Sequence, residues 1–214
     1  MEPRTTAVTP PQPHDLLRLS GAAADALPAG APSWVRSALR TTPWVVVRRA
    51  AVPDGLIAVG VRGSGRSHRH AWSVTPPDVV RRVAPEDLVD VPSASGAEVA
   101  AIRAFRAVRT LLDESGMAWG PTGSVGFELA TGSPTASPDS DLDLLVRAPQ
   151  LTSAVLNRLA AVRRHLDRSE VRVDCQVEIR TGAIALDELL SAGRDVLVKT
   201  PLGPQLLPHA LAVR

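Results

Sequence analysis

The sequence predicts an α+β (α/β) fold in two parts, a small α+β domain followed by a C-terminal half with a mixed sheet and helices. Apolar residues recur every three or four positions in two C-terminal segments, as in amphipathic helices, and alternate with polar residues in others, as in strands. A connector rich in proline, serine and glycine occupies residues 90–96. We therefore predict a basic N-terminal domain over residues 1–92 and a second domain over residues 93–214.

The N-terminal domain is predicted to contain a β-hairpin. Its first dozen residues are rich in proline, which indicates an extended or mobile lead-in. Residues 44–47 and 56–61 have strand-like composition, and the turn signal Pro53-Asp54-Gly55 lies between them. The second strand leads into a basic loop at residues 62–70. This loop is either a solvated connection or an anion-binding loop. The second interpretation is possible because the arginine guanidinium can donate two hydrogen bonds to one anion and glycine lets the backbone approach a ligand.

The second domain is predicted to begin with a helix. Residues 95–98 have the form of a capping box, and apolar residues follow at helical spacing until Gly116. A second apolar stripe predicts a helix over about residues 151–166. Alternating residues predict strands over 142–146 and 171–179. The order helix, strand, helix, strand is typical of an α/β or α+β module.

The composition is that of a globular protein, with 44% apolar and 21% charged residues in a chain of 214. No segment approaches the roughly 20 uninterrupted apolar residues of a bilayer span, and the N-terminus lacks the layout of a signal peptide. We therefore expect a cytoplasmic protein with no membrane partner. The only cysteine, Cys175, excludes an internal disulfide and a cysteine-based zinc site.

The charged and aromatic residues limit the kinds of ligand that the protein is expected to bind. Residues 1–92 carry eleven basic and eight acidic side chains, and residues 93–214 carry thirteen and fourteen. Lys199 is the only lysine, so the glycine-rich phosphate loop that ends in a lysine is absent. Six aromatic side chains and no tyrosine leave few stacking platforms for bases, and we expect no nucleic-acid partner.

Two carboxylates in one predicted strand indicate a metal site. Side chains alternate along a strand, so Asp141 and Asp143 are expected on one face while Leu142 and Leu144 enter the core. Neighbouring negative charges are costly without a cation, and oxygen ligands favour Mg²⁺ or Mn²⁺. The alternative is a strand end whose aspartates face water. An EF-hand is excluded, because the positions that need glycine and glutamate hold Leu144 and Gln150.

The flanking segments add a possible phosphate grip and a third carboxylate. Gly123 and Ser124 are expected to open a tight turn that exposes backbone N–H groups and a hydroxyl. The alternation of the strand at 171–179 places Asp174 on its polar face and Cys175 in its apolar set. We therefore predict Asp174 as the third carboxylate and Cys175 as a buried small hydrophobe.

This order of glycine-serine, Asp-x-Asp strand and later aspartate resembles the nucleotidyltransferase superfamily. A narrower resemblance covers nearly the whole chain. It is carried by the segments WGPTGSVGFELATG, SDLDLLVRA, VDCQVE, PHDLLRL, GVRGSGRSHRHA and LVKTPLGPQLLP. These segments are similar to the malonate decarboxylase holo-acyl-carrier-protein synthase family, also called phosphoribosyl-dephospho-CoA transferases. The resemblance implies a nucleotidyltransferase-like mixed sheet in the C-terminal half.

The resemblance also implies a reaction and a site. The family transfers 2′-(5″-phosphoribosyl)-3′-dephospho-CoA from its triphosphate donor to a serine of the apo acyl-carrier subunit of malonate decarboxylase and releases pyrophosphate. Asp141, Asp143 and Asp174 are then expected to hold Mg²⁺ or Mn²⁺, with Asp174 alternatively accepting the serine proton. The donor triphosphate is expected on Thr122, Gly123 and Ser124. The donor phosphates or the carrier protein are expected on Arg62, Arg66 and Arg69.

Two other functions compete with this expectation: a nucleotidyltransferase with a small-molecule acceptor, and a non-catalytic binding module that keeps the fold. Intact Asp141, Asp143 and Asp174 argue against the second. His14 and Asp15 are interpreted as a local turn or packing feature. Lys199 is interpreted as an exposed strand end, with contact to a phosphate as the alternative.

Overall fold

The computed structural model describes residues 10–27, 30–63, 65, 68–93, 99–191 and 193–212. Of residues 211 and 212 it describes only the backbone. Most of the proline-rich lead-in, Arg66 of the basic loop and the capping box at residues 95–98 lie outside the described residues. The two sheets that follow confirm the mixed α+β class. Among the helices of the described chain, none has the length and apolar character needed to cross a membrane.

The N-terminal part forms an antiparallel sheet with two helices. Its elements are β1 (Leu16–Leu19), α1 (Gly21–Asp25), α2 (Ser33–Thr41), β2 (Trp44–Val47), β3 (Ile57–Arg62), β4 (Arg69–Val74) and β5 (Val79–Val83), with short 3-10 helices at Pro76–Asp78 and Pro85–Leu88. The strand order is β4-β3-β2-β1-β5. The predicted hairpin is confirmed, because β2 and β3 pair antiparallel with Val46 opposite Gly60.

The basic loop is shorter than the sequence predicts. Arg69 and His70 belong to the edge strand β4, in which Arg69 pairs with Arg62 at the end of β3. Only Val74 of β4 is fully buried, so the strand lacks the clear apolar alternation by which a half-buried strand is recognised. The pairing brings both arginines to one end of the sheet.

The C-terminal part forms a mixed sheet flanked by helices. Its elements are α3 (Ala100–Glu114), β6 (Ala118–Pro121), α4 (Gly123–Thr131), β7 (Leu142–Arg147), α5 (Ser153–Leu166), β8 (Val173–Ile179), β9 (Gly182–Ala185), α6 (Leu186–Leu189), β10 (Asp195–Thr200), β11 (Gly203–Pro208) and α7 (His209–Ala212). The strand order is β11-β10-β9-β8-β7-β6. Strands β7 and β8 are parallel, and the other neighbours are antiparallel.

The predicted helices and strands of this half are confirmed. Helix α3 buries Ile102, Phe105 and Leu112, and α5 buries Leu159 and Val162, so the stripes with helical spacing face the core. Strand β7 covers the predicted segment, and β8 begins two residues later than predicted. Helix α4 was not predicted: Ser124 to Leu129 are all buried, and a helix buried on every side shows no amphipathic stripe.

Two apolar clusters stabilise the molecule. One includes Leu17, Val45 and Val59 of the N-terminal sheet, and the other centres on the C-terminal sheet but also takes in Leu16 and Trp44. The larger cluster therefore extends across the contact between the two sheets, and burial of this shared apolar surface holds them together.

Ion pairs add to this contact. Arg49 of the N-terminal part binds both carboxylate oxygens of Glu178 in β8, at 2.7 and 2.5 Å. Asp15 is completely buried, accepts a hydrogen bond from Arg82 Nε at 2.6 Å and lies 3.8 Å from an Arg147 guanidinium nitrogen. Buried charges persist only when they are paired, so these contacts tie β1 and β5 to β7. A cleft lies beside this contact between the two sheets.

Candidate active site

A cleft of about 560 Å³ lies between the two sheets. Its walls differ in charge. The side formed by the N-terminal sheet carries cationic groups, and the side formed by the C-terminal part carries carboxylates, an amide and a lysine. The polar lining residues are His14, Arg48, Arg62, Arg69, His70, Thr122, Asp143, Asp174, Gln176 and Lys199. This combination suits a ligand that is polyanionic and that also recruits a cation.

The strand-to-helix junction after β6 forms one edge of the cleft. Thr122 precedes α4 in an extended conformation, and its N–H donates to the Asp143 carbonyl oxygen at 2.8 Å. Gly123 is the first residue of the helix and has a φ of +57°. The sequence predicts a tight turn here, whereas the structure shows a helix N-terminus, whose unpaired N–H groups and dipole favour an anion.

The predicted members of this phosphate grip have different positions. Thr122 and Gly123 line the cleft. Ser124 is buried in α4 and is not among the residues that line the cleft. A side chain at Gly123 would overlap the Asp143 carboxylate, so the absence of a Cβ lets that carboxylate lie directly against the start of the helix.

The two carboxylates of the cleft lie side by side. In the parallel pair of β7 and β8, Asp143 is directly opposite Asp174, and adjacent strands are about 4.8 Å apart. Their chain neighbours Leu144 and Cys175 point away into the core. Both aspartates are half-buried and line the cleft, as the alternation of each strand predicts.

Asp141 is placed differently. It precedes β7, is half-buried and is not among the residues that line the cleft. Within the described parts of the chain, no group of three or more histidine, cysteine, aspartate or glutamate side chains is arranged to hold a metal ion. The two carboxylates that do meet still fit Mg²⁺, because this ion is commonly held by one or two carboxylates together with substrate phosphates.

A hydrogen-bonded chain of side chains holds Asp174 in place. Gln176 Nε2 donates to Asp174 Oδ1 at 2.8 Å, and Lys199 Nζ donates to Gln176 Oε1 at 3.1 Å. Lys199 is exposed near the end of β10, as the sequence predicts, and it also lines the cleft. The sequence does contain one signal for Gln176, since it follows Asp174 by two residues and so shares its face of β8.

His14 also lines the cleft, although the sequence suggests only a turn or packing role. Its φ is +74°, the sole positive value among the non-glycine residues that the structure describes, and its N–H donates to the Val47 carbonyl oxygen at 3.0 Å. Burial, followed by the charges of Arg49, Arg147 and Lys199, lowers the pKa of His14 to about 4, while Asp174 acts in the opposite direction. The imidazole is therefore uncharged at neutral pH.

This uncharged state predicts a dependence of stability on pH. An unfolded histidine has a pKa near 6.5, so below that pH the unfolded chain binds a proton that the folded chain refuses until about pH 4. The contribution of uncharged His14 to the free energy of unfolding is complete above pH 6.5 and is lost as the pH falls to 4. This contribution amounts to at most about 3 kcal/mol. We expect denaturant unfolding at pH 4.5 and 7.5 to show a smaller pH effect in His14→Asn than in the unaltered protein.

Asparagine is chosen for this test because it tolerates positive φ and does not titrate. Burial raises the pKa of Asp15, which contributes to the pH dependence with the opposite sign, but this contribution is common to both proteins and cancels in the comparison. Equal pH dependence in the two proteins would show that His14 is not held uncharged by the fold.

The arginines predicted for substrate binding are partly described. Arg62 and Arg69 line the cleft from the paired ends of β3 and β4, and Arg66 is outside the described residues. Arg69 also donates to the carbonyl oxygen of His68 at 3.0 Å. Arg48, which the sequence did not single out, joins them from the end of β2, and its stem lies against Gly60, where a Cβ would approach Arg48 Cδ to 3.2 Å.

Two further buried residues lie outside the cleft. Cys175 is buried, and burial raises the pKa of its thiol to about 12, which confirms its interpretation as an apolar core residue rather than a nucleophile. Glu128 is also buried, and its carboxylate accepts hydrogen bonds from the backbone N–H groups of Thr135 and Ala136. Glu128 therefore organises the loop between α4 and β7.

Comparisons with known proteins agree with this two-part architecture. A family model described as the phosphoribosyl-dephospho-CoA transferase MdcG N-terminal domain matches residues 12–85, and the corresponding C-terminal domain model matches residues 88–210. No solved structure shows significant similarity to the chain. The nucleotidyltransferase-like description of the C-terminal sheet therefore stays a prediction.

Three curated relatives are similar over nearly their whole length, and each is named phosphoribosyl-dephospho-CoA transferase. The protein of Pseudomonas syringae pv. tomato is 44% identical over 197 residues, which cover 91% of this chain and 90% of the relative. A protein of Pseudomonas putida is 42% identical, with 92% and 93% covered. The protein of Azotobacter vinelandii is 41% identical, with 92% of each chain covered.

Proposed function

The chain belongs to the phosphoribosyl-dephospho-CoA transferase family, and on this premise we propose that it loads the acyl-carrier subunit of malonate decarboxylase with its prosthetic group. The donor is 2′-(5″-triphosphoribosyl)-3′-dephospho-CoA and the acceptor is a serine of that subunit. The observation that carries the proposal is the cleft in which Asp143 and Asp174 lie side by side next to the N-terminus of α4, opposite arginines of the other sheet.

The proposed reaction is a displacement at phosphorus. The serine oxygen attacks the α-phosphorus of the donor triphosphate, the bond to the bridging oxygen breaks, and pyrophosphate leaves with that bond's electron pair. The serine hydroxyl gives up its proton, and the product is a phosphodiester. Catalysis of this step needs positioning and stabilisation of negative charge rather than covalent chemistry by the protein.

Asp143 and Asp174 are the proposed ligands of a Mg²⁺ or Mn²⁺ ion, and Asp141 is the third. When bound, such an ion offsets the negative charge of the triphosphate and of the leaving pyrophosphate. Asp174 either completes the metal site or accepts the serine proton, and its hydrogen bond from Gln176 orients the carboxylate for either role.

The triphosphate is proposed to bind at the start of α4 and against the cationic wall. Gly123 presents its backbone N–H group at the helix N-terminus, Thr122 lines the cleft beside it, and Ser124 is retained in the proposal through its own backbone N–H. Arg62 and Arg69 line the same cleft, and we assign the binding of the donor phosphates to them. With Arg66, they can alternatively attract the carrier subunit, since such carriers tend to be acidic.

Mass spectrometry of the carrier subunit tests the function as a whole. Apo carrier is incubated with the triphosphate donor, Mg²⁺ and the enzyme, and we expect a mass gain equal to one phosphoribosyl-dephospho-CoA group. A carrier whose acceptor serine is replaced by alanine is the matched control and is expected to gain no mass. Unchanged mass of the apo carrier under these conditions would contradict the proposal, and pyrophosphate release with a small-molecule acceptor would identify a different transferase.

A further inference from the structure

The cleft continues into a second space, which we call the second lobe. His14, Val46, Arg48, Gln176 and Lys199 line both spaces, so the two share one boundary. The second lobe has a volume of about 410 Å³ and extends from that boundary toward the β10–β11 hairpin. Its own lining residues are Val47, Arg49, Ala183, Thr200, Gly203 and Pro204.

The second lobe is cationic. Of the described residues that line it, none is acidic, whereas Asp143 and Asp174 line the main cleft. Arg49 is held by both oxygens of Glu178, so its charge is already matched. The positive charge that remains for a ligand comes from Arg48 and Lys199.

Both of these cationic side chains have N–H hydrogen-bond donors that are not used by any described residue. The Arg48 guanidinium has no hydrogen-bond or ion-pair partner among the described residues, and its stem is supported by the glycine at position 60. The Lys199 ammonium donates one hydrogen bond, to Gln176, and an ammonium has three donors. In a lobe with no acidic side chain among its described lining residues, such an arrangement is suited to direct binding of a phosphate group.

The donor in the proposed reaction carries two separate polyphosphate groups. The triphosphate is on the added ribose, and the 5′-diphosphate of the dephospho-CoA part is on the other ribose, so the two linked sugars lie between them. We propose, on the basis of the function proposed above, that Arg48 and Lys199 form a subsite in the second lobe for the 5′-diphosphate of dephospho-CoA, while the triphosphate lies beside Asp143 and Asp174.

This orientation follows from the two linings. The reacting phosphorus has to lie where carboxylates can hold the metal ion, which assigns the triphosphate to the main cleft. The second polyphosphate then needs a cationic site at a distance, because two polyphosphate groups in one lobe would repel each other. The linked sugars would then lie at the shared boundary, where His14 and Gln176 are found together with Arg48 and Lys199.

Two probes separate the subsites in equilibrium binding measured by titration calorimetry. The first is 3′-dephospho-CoA without metal, which carries only the diphosphate, and the second is inorganic triphosphate with Mg²⁺. We expect Arg48→Met and Lys199→Met each to weaken binding of dephospho-CoA by about tenfold, the effect of losing one hydrogen bond from a charged group. Binding of Mg²⁺-triphosphate is expected to change by no more than about twofold in Arg48→Met. Lys199→Met is expected to weaken it further, because Lys199 also holds Asp174 through Gln176.

Controls make this pattern specific. Asp143→Asn is expected to show the reverse, with weaker Mg²⁺-triphosphate binding and unchanged dephospho-CoA binding. Arg164→Met removes an exposed arginine from α5 and is expected to affect neither probe. Arg48→Lys retains the charge and is expected to restore part of the affinity, and circular dichroism confirms that each variant is folded.

Each remaining outcome overturns the subsite. Unchanged dephospho-CoA binding in Arg48→Met and Lys199→Met would do so. An equal loss for both probes in Arg48→Met would also do so, because it indicates only a general loss of positive charge. An unaltered enzyme that loads the carrier but does not bind dephospho-CoA would refute the subsite alone. An enzyme that neither loads the carrier nor binds either probe would refute the proposed function as well.

Discussion

Asp143→Asn is expected to lower the rate of transfer by about a thousandfold or more and to leave the fold intact. The Asp143 carboxylate lines the cleft directly opposite Asp174, and asparagine keeps its shape while removing the charge. A metal ligand in a site that stabilises phosphoryl charge contributes several kcal/mol, which corresponds to such a factor. The measurement is the initial rate of pyrophosphate release with donor, carrier and Mg²⁺, with Mg²⁺ varied to separate lost affinity from a lower maximal rate.

Asp139→Asn is the matched control for this variant. Asp139 is exposed and lies four residues before Asp143, so the same change in charge is made on the same segment outside the cleft. Its rate is expected to stay within about twofold of the unaltered enzyme. Transfer at the normal rate by Asp143→Asn would remove Asp143 from the proposed metal site.

Asp141→Ala is expected to abolish transfer as well, on the pattern of the Asp-x-Asp motif. This variant is informative because Asp141 is not among the residues that line the cleft. Full activity would leave a site with two carboxylates, in which substrate phosphates and water complete the coordination of the ion.

Gly123→Ala is expected to lower activity by about a hundredfold or more. An added Cβ would overlap the Asp143 carboxylate, so either that side chain rotates away or the start of α4 shifts. Either movement separates the carboxylate from the helix N-terminus, and displacement of a catalytic group by about 1 Å can cost two orders of magnitude. Positive φ adds a cost of about 1–2 kcal/mol to stability.

Gly132→Ala separates the two effects. Gly132 ends the same helix with a φ of +72°, but a Cβ there would meet nothing within 4 Å. Both variants are therefore expected to lose stability on thermal unfolding, Gly123→Ala more than Gly132→Ala because of the overlap with Asp143, and only Gly123→Ala is expected to lose activity. If the two variants have equal activity, backbone strain alone explains the effect and the close approach to Asp143 has no catalytic importance.

The elements that could be predicted from the sequence are those with one apolar face. Helices α3 and α5 and strands β7 and β8 each bury a regular set of side chains, such as Leu112 and Leu159, so their periodicity is visible. Helix α4 is buried all round, and β4 lies at a sheet edge with mostly partial exposure, so neither has a periodic pattern. The turn expected at Gly123 was therefore wrong in form but right in position.

The site likewise contains residues that the sequence predicts and residues that only the structure reveals. Asp143, Asp174 and Gly123 were predicted from motif and alternation, and the structure places all three at one cleft. His14 and Lys199 were given ordinary structural interpretations, because each lies far along the chain from the aspartates. Their roles depend on contacts between the N-terminal sheet, β8 and β10, and these contacts leave no local signal.

By itself, the sequence determined the α+β class, the family and the pair of carboxylates, because these depend on local alternation and on motifs that stay within one strand or turn. Only the tertiary structure decided that Asp141 is not among the residues that line the cleft, that Gln176 and Lys199 hold Asp174, and that a cationic second lobe continues from the main cleft. The reason is physical: strand pairing and the packing of two sheets bring together residues far apart in the chain, and the burial that drives this packing is a property of the whole molecule.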